Sequence, residues 1–277
     1  MPEETPEDLL RRGIAARHVG DLARSKLYLR NVLLSADPES NAYRSAAKLS
    51  LLNEQFLQIN YDGQEFYLIT PVGRKPDLVI KRSSFQEGET LTYLRREWRE
   101  NKTVLDVGCN IGNHSLFFHT FLNTRDIFGF DPAPTAAYFY CQNVPEAKFF
   151  NIALGRQEEG VEIVGDILNE SFSQSRIVSE NSAPRHDCKR IKTRSLDSFD
   201  FKDVTLLKVD VESWELPVLE GGMRTIKRDR PAIVIEFLPD NREAYSSFFA
   251  QNLPEYRIAY SVESPTTGRQ DLVFRAD

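Results

Sequence analysis

The chain has 277 residues, 41% of them hydrophobic and 27% charged, which is enough for a sizeable packed core and too apolar for wholesale disorder. Its formal net charge of -6 argues against a nucleic-acid backbone as the main partner, because that binding relies on clustered Lys and Arg. Three widely spaced cysteines, Cys109, Cys141 and Cys188, form neither a disulfide framework nor a CxxC metal or redox motif.

The acidic start, Met1 to Asp8, lacks the apolar run of a signal peptide, and no stretch is apolar enough to span a bilayer. These features lead to the expectation of a soluble cytoplasmic protein with no membrane partner. Two basic clusters, Lys189 to Arg194 and Arg224 to Arg230, read as solvated faces or helix C-terminal charges rather than a nucleic-acid site.

Residues 1–53 read as a helical region. Pro6-Glu7-Asp8 is a helix start, Gly20-Asp21 separates amphipathic stretches over 7–19 and 21–35, and a third runs over 40–52 after Asp37-Pro38. Gly13, Gly20-Asp21, Leu29, Val32 and Asp37-Pro38 resemble one tetratricopeptide repeat, with Ser25 where a small alanine is usual. A lone repeat cannot bury its apolar face unaided, so these helices are expected to pack on the next domain or to pair copies of the chain in a homo-oligomer. Residues 54–100 form a second unit: residues 55–70 alternate around Asp62-Gly63 as a hairpin, and a loop and helix follow from Phe85 to Trp98.

Residues 101–277 form the third unit, in which strands and helices alternate. Strands are expected at 103–107, 126–130, 148–154, 205–209 and 232–238, and helices at 113–122, 135–143, 216–226 and 241–251. Two final strands, 256–262 and 271–274, close the chain. This alternation implies an α/β fold, a doubly wound Rossmann-like sheet covered on both faces. Between Gly155 and Arg190 the pattern is polar and Ser-rich, with one strand signal at Val161–Val164. Residues 155–189 are expected to form an acceptor-facing lid.

The first strand of that unit runs into Asp106-Val107-Gly108-Cys109-Asn110-Ile111-Gly112-Asn113-His114, a glycine turn opening a helix. A dinucleotide fingerprint starting at Gly108 needs glycines at 110 and 113, where this chain has Asn110 and Asn113. No Lys or Arg occurs from Asp106 to Phe121, a poor cradle for a pyrophosphate. The ammonium and sulfonium of S-adenosylmethionine suit an acidic strand end better. Asp131 ends the next strand in Gly129-Phe130-Asp131-Pro132, one βαβ step on, where a carboxylate can accept both hydroxyls of a ribose.

Further motifs follow in order: Asp131-Pro132-Ala133-Pro134, Asn151-Ile152-Ala153-Leu154, Leu196-Asp197-Ser198-Phe199, Lys208-Val209-Asp210-Val211-Glu212-Ser213-Trp214-Glu215-Leu216, Leu219-Glu220-Gly221 and Pro231 to Glu236. With the glycine turn they resemble the FkbM family of methyltransferases over residues 100 to 240. The resemblance implies a class I methyltransferase domain whose cofactor, S-adenosylmethionine, lies against Asp106, Gly108, Cys109, Asn110, Gly112, Asn113, Asp131, Pro132, Asn151, Ala153 and Asp210. It also implies methyl transfer to a hydroxyl oxygen of a sugar, polyketide or other metabolite, so the partner is a small-molecule or glycan acceptor. Cys109 replaces an alanine of the family pattern, Asp131 a glutamate, and Ser213-Trp214 a Gly-containing pair.

Methyl transfer to a hydroxyl needs a positioned acceptor and a base for its proton. Glu212 or Asp210 is the expected base and Glu236 the orienting acid, all at strand carboxyl ends. A helix N-cap or loop-amide role for these acids is the structural alternative, and a divalent ion on Asp210 and Glu236 a third reading. No metal is required by the leading one. His114 is a further candidate base that packing alone would also explain, and Cys109 reads as a small turn residue rather than a nucleophile. N- or carboxyl methylation is the enzymatic alternative. A cofactor-binding protein without turnover, acting through its N-terminal helices, is the non-enzymatic one.

Overall fold

The structure, a computed structural model, describes residues 5–18, 22–37, 40–50, 54–71, 85–98, 102–164, 176–179, 188–237, 241–263 and 268–277. Three helices come first: α1 (Pro6–His18), α2 (Leu22–Ser35) and α3 (Asn41–Ser50). Thr5 caps the first, accepting the Asp8 amide at 3.2 Å and donating to the Asp8 carboxylate at 2.7 Å. Leu9, Leu29, Val32, Ala36, Ala42 and Ala46 form a small core among the three helices.

The hairpin β1 (Glu54–Tyr61) and β2 (Gln64–Pro71) turns at Asp62 and Gly63, both at positive φ, as a two-residue turn matching the strand twist requires. Helix α4 (Gly88–Glu97) follows. Strands β3 (Thr103–Val107), β4 (Asp126–Phe130) and β5 (Lys148–Phe150) then alternate with helices α5 (Asn113–Phe121) and α6 (Pro134–Asn143). Next come β6 (Ala153–Leu154), β7 (Gly160–Val164), β8 (Arg176–Ser179) and β9 (Cys188–Arg194), a separate four-stranded sheet in the order β6-β9-β7-β8. The chain ends with β10 (Val204–Val209), α7 (Glu215–Gly221), α8 (Met223–Asp229), β11 (Ala232–Phe237), α9 (Arg242–Asn252), β12 (Tyr256–Glu263) and β13 (Gln270–Ala276).

The main sheet has seven strands in the order β12-β13-β11-β10-β3-β4-β5, and β13 alone runs against the others. It is the α/β Rossmann-like sheet expected. β3 is buried at every position because both faces are covered. Alternation sends Leu105 and Val107 to one core, with Val218, Ile226 and Phe249 of the last helices. Val104 goes to the other, with Leu94, Phe117, Phe118 and the hairpin residues Ile59 and Leu68. Each such fully buried aliphatic or aromatic side chain contributes about 1.5–3 kcal/mol. From β3 the chain winds out through β4 and β5, then crosses back to β10 and β11. The carboxyl ends of β3 and β10 therefore flank the crevice where strand order reverses, the place such sheets bind ligands.

Two expectations need correction. The strand expected over 148–154 is two strands in different sheets, because the Ile152 amide donates back to the Phe150 carbonyl at 2.9 Å and turns the chain out. The helix expected over 216–226 divides at Gly222, whose amide bonds the Leu219 carbonyl at 3.0 Å. Gly221 sits where a Cβ would fall 1.9 Å from the Gly155 carbonyl oxygen, so this corner packs backbone on backbone. Within the expected lid the described residues include β7, β8 and the start of β9, and 165–175 and 180–187 lie outside the described residues. Among the described residues no helix is long and apolar enough to cross a membrane.

Candidate active site

The turn after β3 is built by backbone constraints that its sequence meets. Gly108, Asn110 and Gly112 have φ of 76°, 49° and 91°. A Cβ on Gly108 would lie 1.7 Å from the Asp210 carbonyl oxygen, so only glycine lets the turn pass the β10 loop. The Gly108 and Cys109 amides both donate to the Phe130 carbonyl, at 2.8 and 3.2 Å, and bend the turn over the end of β4. Asn143 locks it from behind, donating to the Ile111 carbonyl at 2.7 Å while its amide exchanges hydrogen bonds with Ile69 of the hairpin.

Asp131 ends β4 beside this turn. Its carboxylate accepts the Asn110 amide at 3.0 Å and the Ala133 amide at 2.8 Å. Burial pushes its pKa up to about 6 against those two hydrogen bonds. Each oxygen keeps a further lone pair for a ligand hydroxyl. The Asn110 side-chain oxygen is buried and accepts no hydrogen bond. Together with the absence of basic residues in the turn, these groups fit a ligand that brings hydroxyl and ammonium donors rather than phosphate.

Other expected cofactor residues serve the frame. Asp106 is fully buried, takes the Ser115 hydroxyl at 2.6 Å and faces the Lys208 ammonium at 3.4 Å. Asn151 donates to the Asp131 and Ala133 carbonyls, at 2.8 and 3.1 Å, and so holds the strand end. Pro132 follows Asp131, half-buried, and Ala153 is buried in β6. Gly112 closes against Val144, and Asn113 accepts the Gln86 amide at 3.4 Å. The Cys109 thiol is pushed well up by burial, which leaves it no nucleophile.

Asp210, Glu212 and Glu236 are brought together, with one carboxylate oxygen of each lying within 4.8 Å of the others. Two cations hold this set. Lys208 Nζ lies 3.3 Å from Asp210 and donates to the Gly108 carbonyl at 3.1 Å, tying the two loops to Asp106. Burial alone would lower the Lys208 pKa, but Asp210 and Asp106 raise it above the ordinary lysine value. Arg269, the residue before β13, reaches Glu236 at 2.6 Å and Glu212 at 3.3 Å. His114 does not join these acids. It sits 3.4 Å from Glu87 and 3.2 Å from the Gln86 carbonyl, with its pKa lowered by burial and then by Lys208.

Glu87 and Asp271 extend the cluster, their oxygens lying within 4.8 Å of each other and of Glu236. Lys208, Arg269, Glu87 and Asp271 were not singled out from sequence. A lysine inside the apolar strand Val204–Val209 is a readable signal of buried acid partners, whereas the other three are neighbours only through the fold.

The cluster sets a pH dependence. Glu236 rises from its ordinary 4.5 to about 8, through burial and then Asp210 and Glu87, although Arg269 opposes the shift. Glu87 also rises to about 8, through burial and then Asp210, and Asp271 to about 7, through burial and then Glu87. The native chain thus keeps protons that the unfolded chain has already lost. That stability is full below about pH 4.5 and is lost as pH climbs through about 8. Melting temperature should therefore fall from pH 6 to 8.5, and Glu236→Gln should flatten the slope. A wild-type melting temperature that rises over this window would contradict the proton-sharing account.

The family described as the methyltransferase FkbM domain matches residues 106–256. No curated protein matches the chain. Among solved structures it is similar to methyltransferase FkbM from Methylobacillus flagellatus KT, at 14% identity over 95% of this chain and 60% of that one, with a TM-score of 0.47. It is similar to a Pyrococcus abyssi tRNA (uracil-54, C5)-methyltransferase in complex with S-adenosyl-L-homocysteine, at 16% identity over 80% and 44% of the two chains, TM-score 0.44. It is also similar to M. jannaschii TYW2 in complex with AdoMet, at 11% identity over 81% and 88%, TM-score 0.42. The chain spans 60% of the length of the Methylobacillus protein.

Proposed function

The chain belongs to the FkbM family of methyltransferase domains, and on that premise we propose that it methylates a hydroxyl oxygen of a sugar, a polyketide or another secondary metabolite. Its cofactor is S-adenosylmethionine. The observation that carries the hydroxyl reading is the convergence of Asp210, Glu212 and Glu236 beside the glycine turn, at the crevice between β3 and β10.

Asp131 and the Asn110 side-chain oxygen are the groups that would hold the ribose and its neighbours, and Asp210, whose backbone lies against Gly108, would offer a carboxylate for an ammonium. When bound, the cofactor supplies an electrophilic methyl on a sulfonium. Glu212 would take the proton that the acceptor hydroxyl must lose on methylation. Glu236, held by Arg269, orients the acceptor. Glu212 suits the base because burial, and then Asp210, raise its pKa toward the working range of such groups.

Asp131→Ala should weaken binding of S-adenosylhomocysteine by about 1.5–3 kcal/mol, as expected for lost charge-assisted hydrogen bonds. Calorimetry reads this directly, and NAD binding tighter than either adenosyl ligand would overturn the assignment of the crevice. A screen of hydroxylated acceptors against amines and carboxylates, scored by methyl transfer, tests the acceptor class. Transfer confined to amines would replace the hydroxyl reading with N-methylation.

A further inference from the structure

The loop between β10 and α7 is held in a conformation its own residues disfavour. Glu212 and Ser213 have φ of 52° and 76°, the left-handed region, and neither is a glycine. Such conformations persist when the surroundings over-determine them. Here the determining group is Glu215, buried at the start of α7. One of its oxygens accepts the Val211 amide and the Ser213 amide, each at 3.1 Å. The other accepts the hydroxyl of Tyr245, a residue of α9. The two amides bracket Glu212, so one carboxylate clamps the backbone on both sides of that residue. The Glu212 side chain is left to project toward Asp210, Glu236 and Arg269. Trp214 anchors the same loop outward, donating to the Leu154 carbonyl of the small sheet at 3.2 Å.

We infer that Glu215 is a positioning residue, which with Tyr245 behind it fixes the backbone of Glu212 and so the direction of the Glu212 carboxylate. Its effect on turnover rests on the reading of Glu212 as the base, whereas its effect on the loop does not. The expectation follows from the cost of misplacing a reacting group by about 1 Å, on the order of 10²-fold in rate. Glutamine at 215 retains an oxygen for both amides and alanine retains none.

The test compares Glu215→Ala, Glu215→Gln and Tyr245→Phe in the full chain. Hydrogen exchange at the Val211 and Ser213 amides should quicken about 10-fold or more in the alanine variant and stay near wild type in the glutamine variant, with the amides of β10 unchanged in both. In turnover, Glu215→Ala should lower kcat by about 10–100-fold with KM and S-adenosylhomocysteine affinity near wild type, and Glu215→Gln should restore most of the rate. If the alanine variant does not fold, Tyr245→Phe serves in its place, with faster exchange at the same two amides and a smaller fall in kcat. Unchanged exchange at those amides, or equal losses in the alanine and glutamine variants, would overturn the inference. Exchange needs no acceptor, so a wild type that binds cofactor without transferring methyl would defeat the proposed function and leave the positioning role to be judged on exchange alone.

Discussion

Glu212→Gln should lower methyl-transfer turnover by about 10²–10⁴-fold, the usual worth of a general base, while affinity for S-adenosylhomocysteine stays nearly intact. The replacement is isosteric and its carbonyl oxygen can still accept from Arg269, so the loop and the ion-pair framework survive. What it removes is the ability to take a proton, and a hydroxyl acceptor cannot complete the transfer without losing one. Two other roles for the acids give different results. If Asp210, Glu212 and Glu236 hold a divalent ion, which their spacing within 4.8 Å permits, a chelator should abolish activity, magnesium restore it, and Asp210→Asn weaken that rescue. If the acids are only structural, substitution should lower the melting temperature and leave the turnover of folded protein unchanged. Unchanged turnover in Glu212→Gln, Asp210→Asn and Glu236→Gln together would take these side chains out of the mechanism.

Lys208→Met should cost about 3–5 kcal/mol of stability, the penalty of leaving a buried charge uncompensated. The Lys208 side chain is 4% exposed and Asp106 is fully buried, so no water replaces the lost ammonium. After the substitution Asp106 keeps one hydrogen bond, from Ser115 at 2.6 Å. Adding Asp106→Asn to Lys208→Met should recover much of the loss, because it removes the stranded charge; a double-mutant cycle by urea denaturation measures the coupling. The single variant should also bind S-adenosylhomocysteine more weakly, since Lys208 donates to the Gly108 carbonyl of the turn. Wild-type stability in Lys208→Met would overturn the ion-pair account.

These two residues mark where the sequence stopped being readable. Glu212 could be singled out because it follows an apolar strand in a motif of consecutive residues. Arg269, which neutralises it, lies 57 residues away, and nothing near it announces a partner. The two meet because β13 inserts antiparallel between β11 and β12 with Glu236 opposite Asp271, bringing the start of β13 to the carboxyl ends of the strands on either side. Glu87 was hidden for the same reason. It reaches the site from the N-cap of α4, outside the glycine-turn unit altogether.

The sequence by itself determined the strand–turn–helix at Gly108, the acid at the end of β4 and the alternation that makes an α/β sheet. Each is settled over a few consecutive residues, by steric limits on φ and by the period of apolar side chains. It did not reveal that the chain turns out at Asn151, nor that β7, β8 and β9 join in a second sheet, because short polar strands carry little periodic signal. Nor did it reveal that Asp106 is locked to Lys208 or that Glu215 clamps the loop of Glu212. Those were decided by the tertiary structure, for charges and hydrogen-bond acceptors are satisfied by whatever the packing of the sheet brings within about 3 Å, whatever their distance along the chain.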